Sequence, residues 1–154
     1  IDQTLADGNI SCDYIIGCSM LFKKSFFLDI GGFDEQFFIY YEDNDICDRI
    51  RSRNKMVLEI PSSKMIHLQG KSTKADFKIN TFLSIMHKIS EYKYLRKNIT
   101  LIKLITIIFI NVLDFSQRIL INLLLFRFKT SYKNVLRLIS IFLYITRTYK
   151  LIKY

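Results

Sequence analysis

Proline occurs once in this sequence, at Pro61, and cysteine three times, at Cys12, Cys18 and Cys47. The cysteines form no CxxC pair and leave an odd count, which argues against a disulfide framework or a zinc knuckle and for a reducing, cytoplasmic setting. Internal repeats and low-complexity tracts are lacking. Acidic residues all but vanish after residue 76. Residues 1–76 carry 9 Lys and Arg against 12 Asp and Glu, net −3, whereas residues 77–154 carry 14 against 2, net +12. Long uncharged runs are missing too. Leu104 to Leu113 and Ile119 to Phe126, for instance, are ten and eight residues, short of the roughly 20 that cross a bilayer. No charged segment followed by an apolar one opens the chain at "IDQTLADG", so no signal peptide is expected.

What is present divides in two, with a boundary in the polar stretch "QGKSTKAD", residues 69–76. Half of the residues are hydrophobic, enough for a packed core. In the first part, "YIIGCSMLF" (14–22) predicts a buried strand interrupted at Gly17. Ser25 to Ile30 predicts a short helix stopped by Gly31 and Gly32. Ile46, Cys47 and Ile50 recur at helical spacing, predicting an amphipathic helix over about 43–53. "MVLEI" is a short strand closed by Pro61, and "KMIHL" a second, ending at His67. Strands and short helices mixed in this way indicate an α/β or α+β piece.

From about residue 77 only helical patterns remain. Lys103, Asp114, Arg118, Arg127 and Arg137 punctuate the apolar runs, as in amphipathic helices lying on an anionic membrane surface with basic side chains reaching the phosphates. A water-soluble helical bundle with a basic face and a strained span are the other readings of the same pattern. Nucleic acid is excluded as a partner, because the basic residues alternate with aliphatic runs instead of forming a polar stripe.

The densest chemistry lies in "FFIYYEDNDICDRI", residues 37–50. A calcium loop fails here: counted from Asp43, its sixth and twelfth positions are Asp48 and Asn54 instead of Gly and Glu. Two readings stay open on the residues alone. Asp43 can cap a helix, with Asp45 in its first turn and paired to Arg49 at i,i+4. Alternatively, aromatic rings such as Tyr41 stack on a sugar while Glu42 and Asp43 take its hydroxyl protons.

The succession "GCSMLFKKSFFLDIGGFDEQFFIYYEDNDICDRI" followed by "VLEIPSSKMIHLQGKS" resembles the C-terminal half of the catalytic domain of family 2 glycosyltransferases, above all the bacterial rhamnosyltransferase-like members. The resemblance covers about residues 9–75. It implies a partial GT-A, Rossmann-like domain over 1–76, followed by an all-α amphipathic membrane-associating region over 77–154. It also implies inverting transfer of a sugar from a nucleotide-diphosphate donor, with Mg²⁺ or Mn²⁺ as cofactor. Residue by residue, it makes Asp43 the general base and His67 a metal ligand, and it lines the sugar pocket with Gly17, Cys18 and Ser19.

Around that core, Tyr41, Glu42 and Asp34 are expected to touch the sugars, and Lys71 and Ser72 the diphosphate. The implied setting is the cytoplasmic face of a bacterial membrane, where a lipid-linked acceptor is extended into surface polysaccharide. Family members also carry an upstream nucleotide-binding half with a DxD motif. "DND" at Asp43–Asp45 matches those letters but sits in the later segment. The chain is therefore expected to be a fragment, inactive by itself. The alternative is a catalytically inactive remnant acting as a membrane-surface binding module.

Overall fold

The computed structural model describes residues 3–6, 8–68 and 76–148. The chain forms two compact units, Ile1–Ser72 and Thr73–Tyr154.

In the first unit, β1 (Gln3–Thr4), β2 (Ile10–Cys12) and β3 (Val57–Glu59) make a three-stranded antiparallel sheet in the order β1-β2-β3. Thr4 faces Ile10 in one ladder, and Cys12 faces Val57 in the other. Two helices accompany the sheet, α1 (Lys24–Asp29) and α2 (Glu42–Ser52). Their ends follow the residues that can take left-handed backbone. After α1, Gly31 and Gly32 have φ of 86° and 64°, and their N–H groups return to the carbonyls of Leu28 and Phe27 at 3.0 and 2.9 Å. This double return satisfies carbonyls that a helix end leaves unpaired. Asn54, at φ 56°, ends α2 in the same way, with Lys55 N–H donating to Ile50 O.

The core of this unit is the apolar face of α2. Ile46, Cys47 and Ile50 pack with Cys12, Ile30 and Val57, and Ile15, Met20, Phe22, Phe26 and Phe27 close over them. Burial pushes the Cys47 thiol above its ordinary range; a backbone hydrogen bond at Ile15 opposes this, and nearby carboxylates add to it. A thiol held protonated in this way is a packing group.

Two expected strands are absent. Residues 14–22 form an irregular stretch with a turn at Gly17 and Cys18. Ile15, Met20 and Phe22 reach the core, while Tyr14, Ile16 and Leu21 are exposed. Apolar composition suggested a buried strand, but no neighbouring strand pairs with this backbone. "KMIHL" is likewise irregular, with Met65, Ile66 and Leu68 all exposed. Regular β-structure thus comprises only the three short antiparallel strands among the described residues.

The second unit is helical: α3 (Phe77–Asn98), α4 (Leu101–Leu124) and α5 (Phe128–Thr146). Thr100 caps α4, its Oγ1 accepting Lys103 N–H at 3.5 Å. α5 packs against both other helices. Tyr92, Leu104, Phe115 and Ile141 form the centre, and Ser90 and Ser140 are fully buried. Tyr92 Oη accepts a hydrogen bond from Asn111 Nδ2 at 3.0 Å. Burial raises its phenol to about 12, with the Asn111 bond lowering it and Glu91 adding to the rise.

The two uncharged runs that looked too short to span a membrane belong to one continuous helix, α4. Asp114 and Arg118 between them pair across one turn at 2.7 Å and do not interrupt it. Among the described residues α4 is the one helix long and apolar enough to cross a bilayer.

Candidate active site

The site is organised at the N-terminus of α2. Tyr40 and Tyr41 both hold left-handed backbone, with φ of 64° and 67°, which costs a residue with a side chain roughly 1–3 kcal/mol. Strain of this kind persists only where the surroundings enforce it. Phe37 anchors the aromatic run in the interior, whereas Phe38 and Tyr40 remain exposed. The chain turns sharply at Tyr41 and starts the helix with Glu42, Asp43 and Asp45 in its first turn, where acids meet the positive end of the helix dipole.

Asp43 is not the cap; Tyr41 occupies that position and makes no side-chain capping bond. Instead the Asp43 carboxylate reaches back across the chain. Its Oδ2 accepts the Gly17 N–H at 3.1 Å, and its Oδ1 accepts the Asn44 N–H at 2.9 Å. A carboxylate offers about four lone-pair positions, so capacity remains for a further donor. Gly17 lies directly against this carboxylate: a Cβ added there would stand 3.4 Å from Asp43 Cβ, an ordinary contact distance. Cys18 and Ser19 follow it on the exposed side of the turn.

Glu42, the adjacent acid, has a different environment. Its Oε2 is buried without a hydrogen-bond partner. Burial pushes its carboxyl above the usual range, its own backbone N–H opposes the shift, and the charge of Asp43 adds to it. Two neighbouring carboxyl groups therefore differ in character: one holds two backbone donors, and the other is drawn toward its protonated form.

Asp34 serves its own loop. Its Oδ1 accepts Gln36 N–H at 2.9 Å, its Oδ2 accepts Gln36 Nε2–H at 3.3 Å, and Phe37 N–H returns to its carbonyl. Phe33 is held by the rings of Phe22 and Phe27, with centroids 6.4 and 5.6 Å away. His67 is exposed on its irregular segment. Among the described residues no three His, Cys, Asp or Glu side chains converge where a metal ion could sit, so these residues by themselves form no metal centre. Lys71 and Ser72 lie outside the described residues.

Sequence reasoning reduced Arg49 to a partner of Asp45, and its larger role was missed. Its Nε donates to Asp45 Oδ2 at 2.9 Å, its Nη1 to Ile30 O at 2.7 Å and its Nη2 to Gly32 O at 2.6 Å. One guanidinium thus ties the glycine turn and the loop leading to Asp34 onto the helix that carries Glu42 and Asp43. The i,i+4 spacing signalled the first bond; the other two join residues 19 and 17 positions apart, which no local pattern reveals.

Exposed rings ahead of a carboxylate with hydrogen-bonding capacity to spare, and a second acid beside it, suit a sugar-transferring site, and the class this points to is that of the glycosyltransferases. The family model described as "N-terminal domain of galactosyltransferase" matches residues 5–88, and the chain belongs to that family. The match runs past the first unit into α3, further than the motifs alone indicated. Two relatives, the N-acetylglucosaminyl-diphospho-decaprenol L-rhamnosyltransferases of Mycobacterium tuberculosis strains CDC 1551 / Oshkosh and ATCC 25618 / H37Rv, are each 35% identical over 63 residues. That stretch is 41% of this chain and 20% of theirs, so the chain spans about a fifth of the length of the curated relatives it matches. No solved structure matches.

Proposed function

We propose that these residues form the acceptor and base half of an inverting glycosyltransferase of family 2, with a GT-A catalytic domain. The enzyme moves a sugar, rhamnose by analogy with the relatives, from a nucleotide diphosphate to a lipid-linked saccharide. The single observation that carries the reading is the Asp43 carboxylate held between Gly17 and Asn44 N–H groups with accepting capacity to spare.

In the proposed step an acceptor hydroxyl lies against Asp43. The hydroxyl oxygen bonds to the anomeric carbon as the bond from that carbon to the diphosphate oxygen breaks on the opposite face, and the hydroxyl proton passes to Asp43. General-base assistance of this kind is worth about 10²–10⁴-fold in rate. Glu42, beside Asp43 in the first turn of α2, orients the acceptor. Phe38 and Tyr40 give the ring surface on which the sugar packs. Mg²⁺ or Mn²⁺ belongs to the reading through the family resemblance alone, and no step assigned to this chain depends on it.

The setting proposed is the cytoplasmic face of a bacterial membrane, in the assembly of a surface polysaccharide. A second reading, a membrane-binding module without catalysis, draws on the broad apolar surface of α4 and α5.

The test compares the 154-residue chain with the longest reading frame that carries it, in membranes supplied with a panel of nucleotide-diphosphate sugars and a polyprenyl-diphosphate-linked acceptor. Transfer by the longer protein, lost by about 10²-fold or more in Asp43→Asn with nucleotide binding intact, is the expected result. Full activity of Asp43→Asn would remove Asp43 from the role of base. Absence of transfer from every donor, with vesicle binding retained, would favour the second reading.

A further inference from the structure

The outer surface of α4 goes beyond a generally basic, membrane-associating region. At about 100° per residue, Ile102, Ile105, Phe109, Leu113, Leu120 and Leu124 fall within an arc of about 100°. All six are exposed. Lys103, Asp114 and Arg118, the charged residues of α4, fall within an arc of about 60° turned away from that face, and Leu104 and Phe115 mark the buried side. The exposed apolar face thus runs the full length of α4, about 36 Å at 1.5 Å per residue, without a charge. α5 shows the same division. Phe128, Tyr132, Val135, Ile139 and Phe142 are exposed at alternating spacings of four and three, and Lys129, Lys133 and Arg137 lie off that stripe.

Charge decides what covers this face. A second copy would bring residues 77–154, net +12, against an equally basic surface, whereas a bilayer containing anionic lipid is complementary. Charge also decides the orientation. Asp114 and Arg118 stand midway along α4 with 40% and 58% of their side chains exposed. Spanning would place that pair at mid-bilayer, where charged side chains are costly and rare unless they face a protein interior. Lying flat puts the pair, with Lys103, at the level of the lipid phosphates.

We propose that α4 lies in the plane of the bilayer, its uncharged arc sunk in the acyl layer along its whole length, although its length and composition would let it span. The proposal deepens the membrane partner named under the proposed function and rests on that reading for the partner alone. The test requires no catalysis, so its failure leaves the transferase reading standing.

The chain contains no tryptophan, so one introduced residue reports alone. Ile102→Trp, Leu113→Trp and Leu124→Trp place it at the start, middle and end of the arc. Each variant is mixed with vesicles of phosphatidylcholine and phosphatidylglycerol brominated at defined acyl depths. The expected result is a blue-shifted emission and the same fractional loss of fluorescence at all three positions, from the same bromine depth. Deepest quenching at residue 113 with shallow quenching at both ends would overturn the proposal in favour of spanning. Unchanged emission at all three, with the protein sedimenting as a dimer, would overturn it in favour of a second copy. Unchanged emission from a monomer would show an uncovered face and overturn it equally. If Leu113→Trp loses helical circular dichroism, Phe109→Trp, which exchanges one large exposed ring for another, takes its place.

Discussion

Replacing Arg49 with methionine keeps much of the side chain's length and removes every donor it has. Three hydrogen bonds go with it: one to the Asp45 carboxylate and two to the carbonyls of Ile30 and Gly32. Asp45, 2% exposed, is left as a buried charge without its guanidinium. Breaking a buried pair from one side costs about 3–5 kcal/mol. Arg49 keeps 25% of its side chain exposed, so the lower end of that range, about 3 kcal/mol, is expected. Against a typical stability of about 5–15 kcal/mol, that is a large fraction. For a unit of this size each kcal/mol moves the midpoint by about 4–8 °C, so Arg49→Met melts at least about 12 °C lower. Arg49→Lys keeps a charge for Asp45 but not the planar fork that reaches two carbonyls, and falls between. Asp45→Asn combined with Arg49→Met costs less than the sum of the single changes, because both act on the same charged contact. Thermal and urea melts of the four proteins supply the cycle. A loss below about 0.5 kcal/mol for Arg49→Met, the range of an ordinary surface change, or strict additivity, would refute the clamp.

Glu42 gives a pH signature. Its carboxyl is raised above 4.5 in the folded protein, so the folded state binds the proton more tightly, and stability is lost as pH rises from 4.5 through the folded-state value. Glu42→Gln should therefore exceed the wild type in urea melts near neutral pH and converge with it as pH falls toward 4.5; parallel curves would contradict the buried acid. Phe126 ends α4 at φ 53°, with Phe126 N–H donating to Leu123 O and Arg127 N–H to Asn122 O. Phe126→Gly relieves that left-handed strain and should raise the stability of the helical unit by about 1 kcal/mol, read from its melting midpoint.

The legible parts of this chain were those written in neighbouring residues. Lys24–Asp29 and Glu42–Ser52 could be placed because their apolar spacing, and the stop residues Gly31 and Gly32 after the first, are local facts of backbone sterics. Asp43 is singled out by the family resemblance, since the residues alone leave a helix cap and a sugar site both open. Strands were less legible. "YIIGCSMLF" and "KMIHL" have strand-like composition, yet a strand exists only where another backbone accepts its hydrogen bonds. Ile10–Cys12, with no strong pattern, became the central strand because Gln3–Thr4 and Val57–Glu59 lie on either side of it.

By itself the sequence determined the division of charge between the halves, the helices, the glycine turn and the acids at the head of α2, since each depends on side chains within a few positions of one another. Tertiary structure alone decided that Gly17 meets Asp43, that Arg49 holds the glycine turn, that one carboxyl oxygen of Glu42 is buried, and that one face of α4 stays uncovered. Those are distances between residues far apart in the chain, and burial is a property of what the rest of the molecule leaves exposed.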